Sequence, residues 1–243
     1  MALAENLYAC ILKAISLEKT EHCNRSINVI FIDRFTVMKE KNLELERMVF
    51  FSDAIVAIAI TILVFNLKLT GDEGKHFTFT DLLQAWPKFL AFFLSFFIIA
   101  LFWKLHHQFF FYIRAIDEVL LWNNIAWLLF IVLLPFSTTL ISVHFTDPAA
   151  MVVYCVNVLL INIFQNNIWD YASTQPGFLK PGVDQRVVVF YRRACNVALV
   201  NSIISLALAF FFPVAAFIIL VARFPFIISA KRLFKLMKLK DEG

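Results

Sequence analysis

The sequence predicts an all-α, polytopic membrane protein with six transmembrane helices. Of its 243 residues, 61% are hydrophobic and only 16% are charged, and the mean hydropathy is +0.77. A soluble domain of this length has too little interior to bury so much apolar surface. A disordered chain would instead be poor in apolar residues and rich in charge. We therefore expect most of the apolar surface to face lipid.

The six predicted helices follow from the lengths of the apolar segments. A helix needs about 20 apolar residues to cross the hydrocarbon core of a bilayer. The first four segments of this length are at 49–69, 82–103, 119–143 and 149–169. The stretch 194–230 is too long for one span, and Pro213, which follows three phenylalanines, predicts a tight break that divides it into a helical hairpin.

The basic residues predict the orientation and the domain organisation. If the N-terminus is cytoplasmic, 18 of the 22 Lys and Arg residues fall on the cytoplasmic side, as the positive-inside rule requires. We expect a multi-pass protein of the cell membrane with both termini in the cytoplasm. Residues 1–46 form an N-terminal cytoplasmic segment, 47–232 the six-helix domain, and 233–243 a basic cytoplasmic tail. For residues 1–37, a partly disordered segment and a true start at Met38 both stay open.

Several classes of function are disfavoured. The five glycines lie in polar connectors or at the end of the chain, which argues against GxxxG helix contacts and against a pore filter built from a Gly-rich loop. The four cysteines lack CxxC spacing, and no P-loop, GxSxG or HExxH motif is present. The sequence therefore predicts no enzyme, no metal site and no cofactor. The basic residues lie beside apolar spans, which indicates lipid headgroups rather than nucleic acid.

The first predicted helix carries an apolar stripe. At about 100° per residue, Ile58, Ile62 and Phe65 fall on one narrow stripe, with Thr61 at its edge. Two interpretations stay open for this stripe. It could face lipid or the protein core, or several copies of the helix could surround an axis and form a hydrophobic constriction.

Polar side chains within the spans predict contacts between helices. Asp53 and Ser52 lie on another face of the first helix, where a carboxylate needs a partner, and Trp103 and His106 are available at the same membrane side. We favour a structural network here over a proton relay. Arg223 could snorkel, pair within the bundle or bind a lipid headgroup. The fourth predicted helix carries amides that we interpret as packing contacts, with a lined cavity as the alternative: Asn157, Asn162, Gln165, Asn166 and Asn167.

Two motifs indicate a family. The run Arg47-x-x-x-Phe51-Ser52-Asp53, followed by 57–61 (AIAIT), and the later Phe102-Trp103-x-x-His106-His107 resemble the prokaryotic transmembrane protein 175 potassium channels. This resemblance implies a homotetramer in the lipid bilayer, with a central pore lined by the first helix and without a TVGYG filter. It also implies roles for named residues: the pore constriction at Ile58 with Ile62 and Phe65 above it, candidate selectivity at Thr61, and an interhelical network of Arg47, Ser52, Asp53, Trp103 and His106.

The predicted function is that of a potassium channel of modest selectivity, with potassium as the permeant ion, passive conduction and a hydrophobic gate. One alternative is a proton-coupled secondary transporter that uses Asp53 and His106. Transporters of that kind typically show inverted repeats and broken helices, which the sequence does not indicate. A membrane enzyme or a scaffold is a third possibility.

Overall fold

The fold is known from a computed structural model, which describes residues 43–67, 78–220 and 222. The chain divides into two compact units, Met1–Glu46 and Arg47–Gly243. Of the first unit, only residues 43–46 are described, and they are helical. The predictions for Met38, for Arg223 and for the tail at 233–243 lie outside the described residues.

The described residues form seven helices. They are α1 (Leu43–Phe65), α2 (Phe79–Gln84), α3 (Trp86–Tyr112), α4 (Glu118–Val143), α5 (Pro148–Thr174), α6 (Gln185–Ala209) and α7, which is described at 213–220. The end of α1 tightens into a 3₁₀ turn at Leu63–Leu67. Five of these helices, α1 and α3 to α6, are long and apolar enough to cross a membrane. The all-α membrane fold is thus confirmed, and five of the six predicted spans are present.

The break predicted at Pro213 is also present. α6 ends at Ala209, residues 210–212 turn, and a new helix starts at Pro213. Two contacts hold the two helices of this hairpin together. Ser205 Oγ donates to the Ala216 carbonyl at 2.7 Å, and Asn201 Nδ2 donates to the Ile219 carbonyl at 3.1 Å.

Two predicted boundaries were wrong. The second span does not start at residue 82, because a capping box between Thr78 and Asp81 starts the separate short helix α2. Hydrogen bonds from the Thr78 hydroxyl and backbone N–H hold the pKa of the Asp81 carboxyl below its usual value. The fifth span starts at Gln185 instead of 194, because Asp184 caps the helix and accepts from Arg186 N at 2.8 Å.

The core lies where α3, α4, α5 and α6 pack together. Large aromatic side chains fill it, with Phe102, Phe109, Trp127, Tyr154 and Trp169 almost completely buried. Phe109 packs against Trp169 with their ring centroids 4.7 Å apart. The end of α1 packs against α3 and α4 of this core.

Amides of α5 join the neighbouring helices, as the sequence suggests. Asn162 Nδ2 donates to Ser202 Oγ of α6 at 2.7 Å, and Gln165 Nε2 donates to the Phe102 carbonyl of α3 at 3.0 Å. The Asn157 amide lies 3.2 Å from the Ser137 hydroxyl of α4. Asn167 instead is exposed and lines a cavity.

Candidate pore helix and its supporting network

The helix α1 has one anchored face and one open face. Its buried residues recur every three or four positions, at Met48, Ser52, Val56, Ala59 and Leu63, as expected for one stripe of a helix packed on neighbours. The residues of the predicted pore stripe lie elsewhere on its surface. The exposed fraction is 58% for Ile58, 41% for Ile62 and 66% for Phe65.

Thr61 lies on the open face between these apolar side chains. It is exposed, and its hydroxyl donates to the Ile58 carbonyl at 2.8 Å. Because the hydroxyl hydrogen is used within the helix, the lone pairs of Oγ1 remain available as acceptors. Such an oxygen can contact a cation or a water molecule that passes along α1.

The polar residues on the anchored side of α1 reach α3 and α4 through two separate connections. In the first, Trp103 Nε1 of α3 donates to Asp53 Oδ1 at 2.8 Å. In the second, Asn124 Nδ2 of α4 donates to Ser52 Oγ at 2.9 Å, and Asn124 Oδ1 lies 2.8 Å from His106 Nε2 of α3. One amide therefore links all three helices.

The direction of the hydrogen bonds in the second connection limits its chemistry. Asn124 Oδ1 can only accept, so His106 Nε2 carries the hydrogen. Asn124 then donates to Ser52, whose hydroxyl donates to the Met48 carbonyl at 2.8 Å. The chain of donors ends on a backbone carbonyl and does not reach Asp53. This arrangement suits a structural support and not a proton-transfer route.

Packing fixes the His106 ring as well. Its side chain is buried and stacks on Trp127 with ring centroids 4.3 Å apart and planes 13° apart. Stacking and one fixed hydrogen bond hold the imidazole in one orientation.

The structure brings together four of the five residues predicted for the network, Ser52, Asp53, Trp103 and His106. Among the contacts of the described residues, none joins Arg47 to them; it is exposed near the start of α1. Asn124, the central member, was missed by the sequence analysis. The signal in the sequence is an Asn-Asn pair inside an otherwise apolar run of α4, which is similar to the amides of α5.

Metal and nucleophile sites receive no support from the part of the chain that the structure describes. Within it, no three His, Cys, Asp or Glu side chains lie close enough to hold a metal ion. Cys155 and Cys195 are buried and not in disulfides.

The sequence of the chain is similar to those of known proteins. Residues 47–135 match the family described as endosomal/lysosomal potassium channel TMEM175. The chain is 33% identical over 150 residues to a potassium channel of Chamaesiphon minutus, which covers 60% of this chain and 74% of the relative. It is 30% identical over 154 residues to the endosomal/lysosomal proton channel TMEM175 of Gallus gallus, but this match covers 58% of this chain and 30% of that longer protein.

A solved structure has a similar fold. The crystal structure of a lysosomal potassium-selective channel TMEM175 homologue from Chamaesiphon minutus aligns with a TM-score of 0.68 at 26% identity. The alignment covers 77% of this chain and 98% of that one. Residues 47–135, which match the family model, include α1 from Arg47 onward, α3, and α4 up to Pro135, and so contain the complete supporting network.

Proposed function

The chain belongs to the TMEM175 family, and from this premise we propose that it is a passive potassium channel whose pore is lined by α1. Four copies surround a central axis, and each contributes its open face. Ile58 forms the constriction, and Ile62 and Phe65 extend it toward the other side of the membrane.

The observation that carries this proposal is the division of α1 into two faces. One face is tied to α3 and α4 by hydrogen bonds that require one rotation of the helix about its axis. That rotation leaves Ile58 and Phe65 more than half exposed. A single chain of this fold cannot enclose an ion path with one helix, so a ring of copies is needed.

Side chains must provide the selectivity of such a pore. α1 contains no glycine, and its backbone carbonyls up to the 3₁₀ turn are used in helical hydrogen bonds. A ring of Ile58 side chains would exclude water when narrow and so act as a hydrophobic gate. A ring of Thr61 oxygens next to it offers acceptors that partly replace the hydration of potassium, which favours modest selectivity.

Ion flux into liposomes tests the pore assignment. Purified protein in potassium-loaded liposomes should set a potassium diffusion potential. Ile58→Asn should change the flux about tenfold or more, because a polar ring removes the dewetted barrier. The matched control is Ile203→Asn, at an exposed isoleucine on α6 (50% exposed, against 58% for Ile58), which should leave the flux per protein unchanged. If both variants behave alike, α1 does not line the pore.

Cysteine modification gives an independent measurement. In a chain with Cys10→Ser and Cys23→Ser, Ile58→Cys should become sensitive to a charged thiol reagent. The same chain with Ile58 retained should not be inhibited, since Cys155 and Cys195 are buried. Cross-linking followed by mass measurement should yield species of up to four chains. A species that stops at two chains would contradict the tetramer.

The orientation is part of the same proposal. The ends of the bundle with Trp103, Asn124 and Arg192 face the cytoplasm of the cell in which the protein is made, on the basis of the 18 basic residues on that side. An impermeant label should therefore react with a cysteine at Phe211 in intact cells and not with one at Gly177.

A further inference from the structure

A polar cavity lies away from α1, where α5 ends and α6 begins. Its volume is about 530 Å³, and it opens to the surface between α4, α5 and α6. The cavity is lined by Asn123, Asn167, Asp170, Tyr171, Thr174 and Arg192. This concentration of polar groups is unusual in a chain that is 61% hydrophobic, and the potassium path along α1 does not use it.

One cation and one anion lie side by side in this cavity. Arg192 Nε donates to Asp170 Oδ1 at 2.7 Å, and Arg192 Nη2 donates to Ser173 Oγ at 3.0 Å. Both charged side chains are 40% exposed. A guanidinium has five N–H donors and a carboxylate two oxygens. Among the described residues, Arg192 Nη1 and Asp170 Oδ2 have no other partner, so both remain available to a ligand.

The neighbouring groups add neutral donors and acceptors. Asn123 Nδ2 donates to the Val119 carbonyl at 2.9 Å, which leaves its oxygen as an acceptor. The Thr174 hydroxyl donates to the Asp170 carbonyl at 2.8 Å, and Tyr171 OH donates to Asp117 Oδ2. The exposed Asn167 amide offers both donors and an acceptor. The site therefore carries no net charge, and it offers a cationic donor and an anionic acceptor next to each other.

The cavity lies near the boundary between the hydrocarbon core and the headgroup layer of a bilayer. α5 has 27 residues and is about 40 Å long at 1.5 Å per residue, whereas the hydrocarbon core is about 30 Å thick. The helix ends must therefore extend into the headgroup region. Asp170 is one turn from the end of α5, about 6 Å along its axis.

We propose that this cavity binds the headgroup of phosphatidylethanolamine. The lipid phosphate contacts Arg192 Nη1 and the Asn167 amide, and the lipid ammonium donates to Asp170 Oδ2 and the Asn123 oxygen. A zwitterion fits because Asp170 already neutralises Arg192, so an anionic headgroup would meet no net positive charge. A choline headgroup has no N–H to donate to the carboxylate.

Native mass spectrometry of the detergent-purified oligomer tests this assignment with defined lipids. Phosphatidylethanolamine should bind at least about tenfold more tightly than phosphatidylcholine or phosphatidylglycerol. Arg192→Gln and Asp170→Asn should each weaken its binding about tenfold. Arg193→Gln is the matched control, because Arg193 is the next residue, is exposed and does not line the cavity, and it should bind the lipid like the wild type.

Four outcomes would overturn the proposal. Equal binding of phosphatidylcholine would exclude recognition of the ammonium, and equal or tighter binding of phosphatidylglycerol would indicate a general basic surface. If soluble glycerophosphoethanolamine binds as tightly as the lipid, the site serves a soluble compound. The fourth is unchanged binding in both charge variants. If these variants unfold, Asn167→Ala decides, since it alters an exposed side chain and should weaken binding several-fold at an unchanged melting temperature; unchanged binding there would equally reject the site.

Discussion

The helices α1 and α5 are both long and apolar, but they differ in how much of their surface is buried against other helices. In the most apolar stretch of α1, 28% of the residues are buried, against 50% for α5. The polar groups of α5 bond to three neighbouring helices of the same chain. Among the described residues, α1 forms polar contacts to other helices on one face only, and large apolar side chains on its open face stay exposed.

Exposure alone does not distinguish a pore helix from a lipid-facing one. α6 is buried to the same low degree as α1, and its exposed residues Val200, Ile203 and Ile204 suit contact with lipid. A hydrogen-bonded face does not distinguish them either, because Ser202 of α6 accepts from Asn162 of α5. What distinguishes α1 from α6 is that α1 lies within residues 47–135, which match the family model. In lipid there is little hydrophobic drive to bury one apolar helix face rather than another, so polar contacts decide which face stays open.

The largest effect is expected when the anchor of α1 is removed. Asn124→Leu leaves the buried His106 Nε2 without its acceptor and Ser52 Oγ without its donor, which should cost about 1–3 kcal/mol of stability. The midpoint of thermal unfolding in detergent and the potassium flux into liposomes should both fall. Asn196→Leu is the control, because Asn196 is an exposed amide of α6 and belongs neither to the connections of α1 nor to the cavity lining. Equal effects in the two variants would mean that α1 is not held by Asn124.

A smaller effect is expected for the connection between Trp103 and Asp53. Trp103→Phe keeps an aromatic ring but removes the donor to Asp53, and a hydrogen bond to a charged group contributes about 1.5–3 kcal/mol when fully buried. Because Trp103 is 39% exposed, water replaces part of this loss, and we expect about 1 kcal/mol or less. Unfolding midpoints measure it, with Trp122→Phe, at 67% exposed, as the control. If Trp122→Phe loses as much stability as Trp103→Phe, the loss does not come from the hydrogen bond to Asp53.

For a substitution within α5 we expect a smaller loss of stability and no change in conduction. Asn162→Leu breaks the bond to Ser202, and side-chain hydrogen bonds of this type contribute about 0.6 kcal/mol on average in a membrane protein. Stability should fall slightly, while flux per folded channel stays unchanged. A double-mutant cycle with Ser202→Ala measures the coupling. Altered ion selectivity in Asn162→Leu would show that α5, too, takes part in conduction.

The smallest effect should come from α2, which has no buried residue. The pKa of Asp81 is lowered in the folded chain, so its capping contribution is present above the ordinary carboxyl pKa and is lost as the pH falls through the lowered value. Hydrogen-exchange protection of residues 82–85 should therefore decrease below about pH 4. Asp81→Asn should show weaker protection at pH 7 and no such decrease, with flux unaffected in both. A decrease of the same size in the variant would assign the pH effect to other groups.

The spans could be predicted from sequence because hydropathy over about 20 residues is a strong local signal. Their ends could not, since they depend on single capping groups. Asp184 starts α6 before Arg186, and Arg192 is tolerated in the helix because Asp170 of α5 pairs with it. The partner in that pair is 22 residues away in the sequence, and no local pattern specifies it.

The supporting network was predictable in part for the same reason. A carboxylate near hydrocarbon needs a partner, which led to Trp103 as a candidate for Asp53. His106 was the other candidate partner for Asp53 and Ser52, but it bonds to Asn124, and this choice depends on how α3 and α4 rotate against each other. Aromatic packing between His106 and Trp127 helps to set that rotation, and it can be read only from the fold.

The 3₁₀ turn at the end of α1 has a consequence for the proposed ion path. In a continuous α-helix, Phe65 would lie about 60° around the axis from Ile62, because three residues make less than one turn. In a 3₁₀-helix, residues three apart are eclipsed and each residue rises about 0.5 Å more. The tightened turn Leu63–Leu67 thus brings Phe65 closer to alignment with Ile62 and lengthens the helix by about 2.5 Å. In the proposed tetramer, four such turns would line the pore with hydrophobic side chains aligned along its axis.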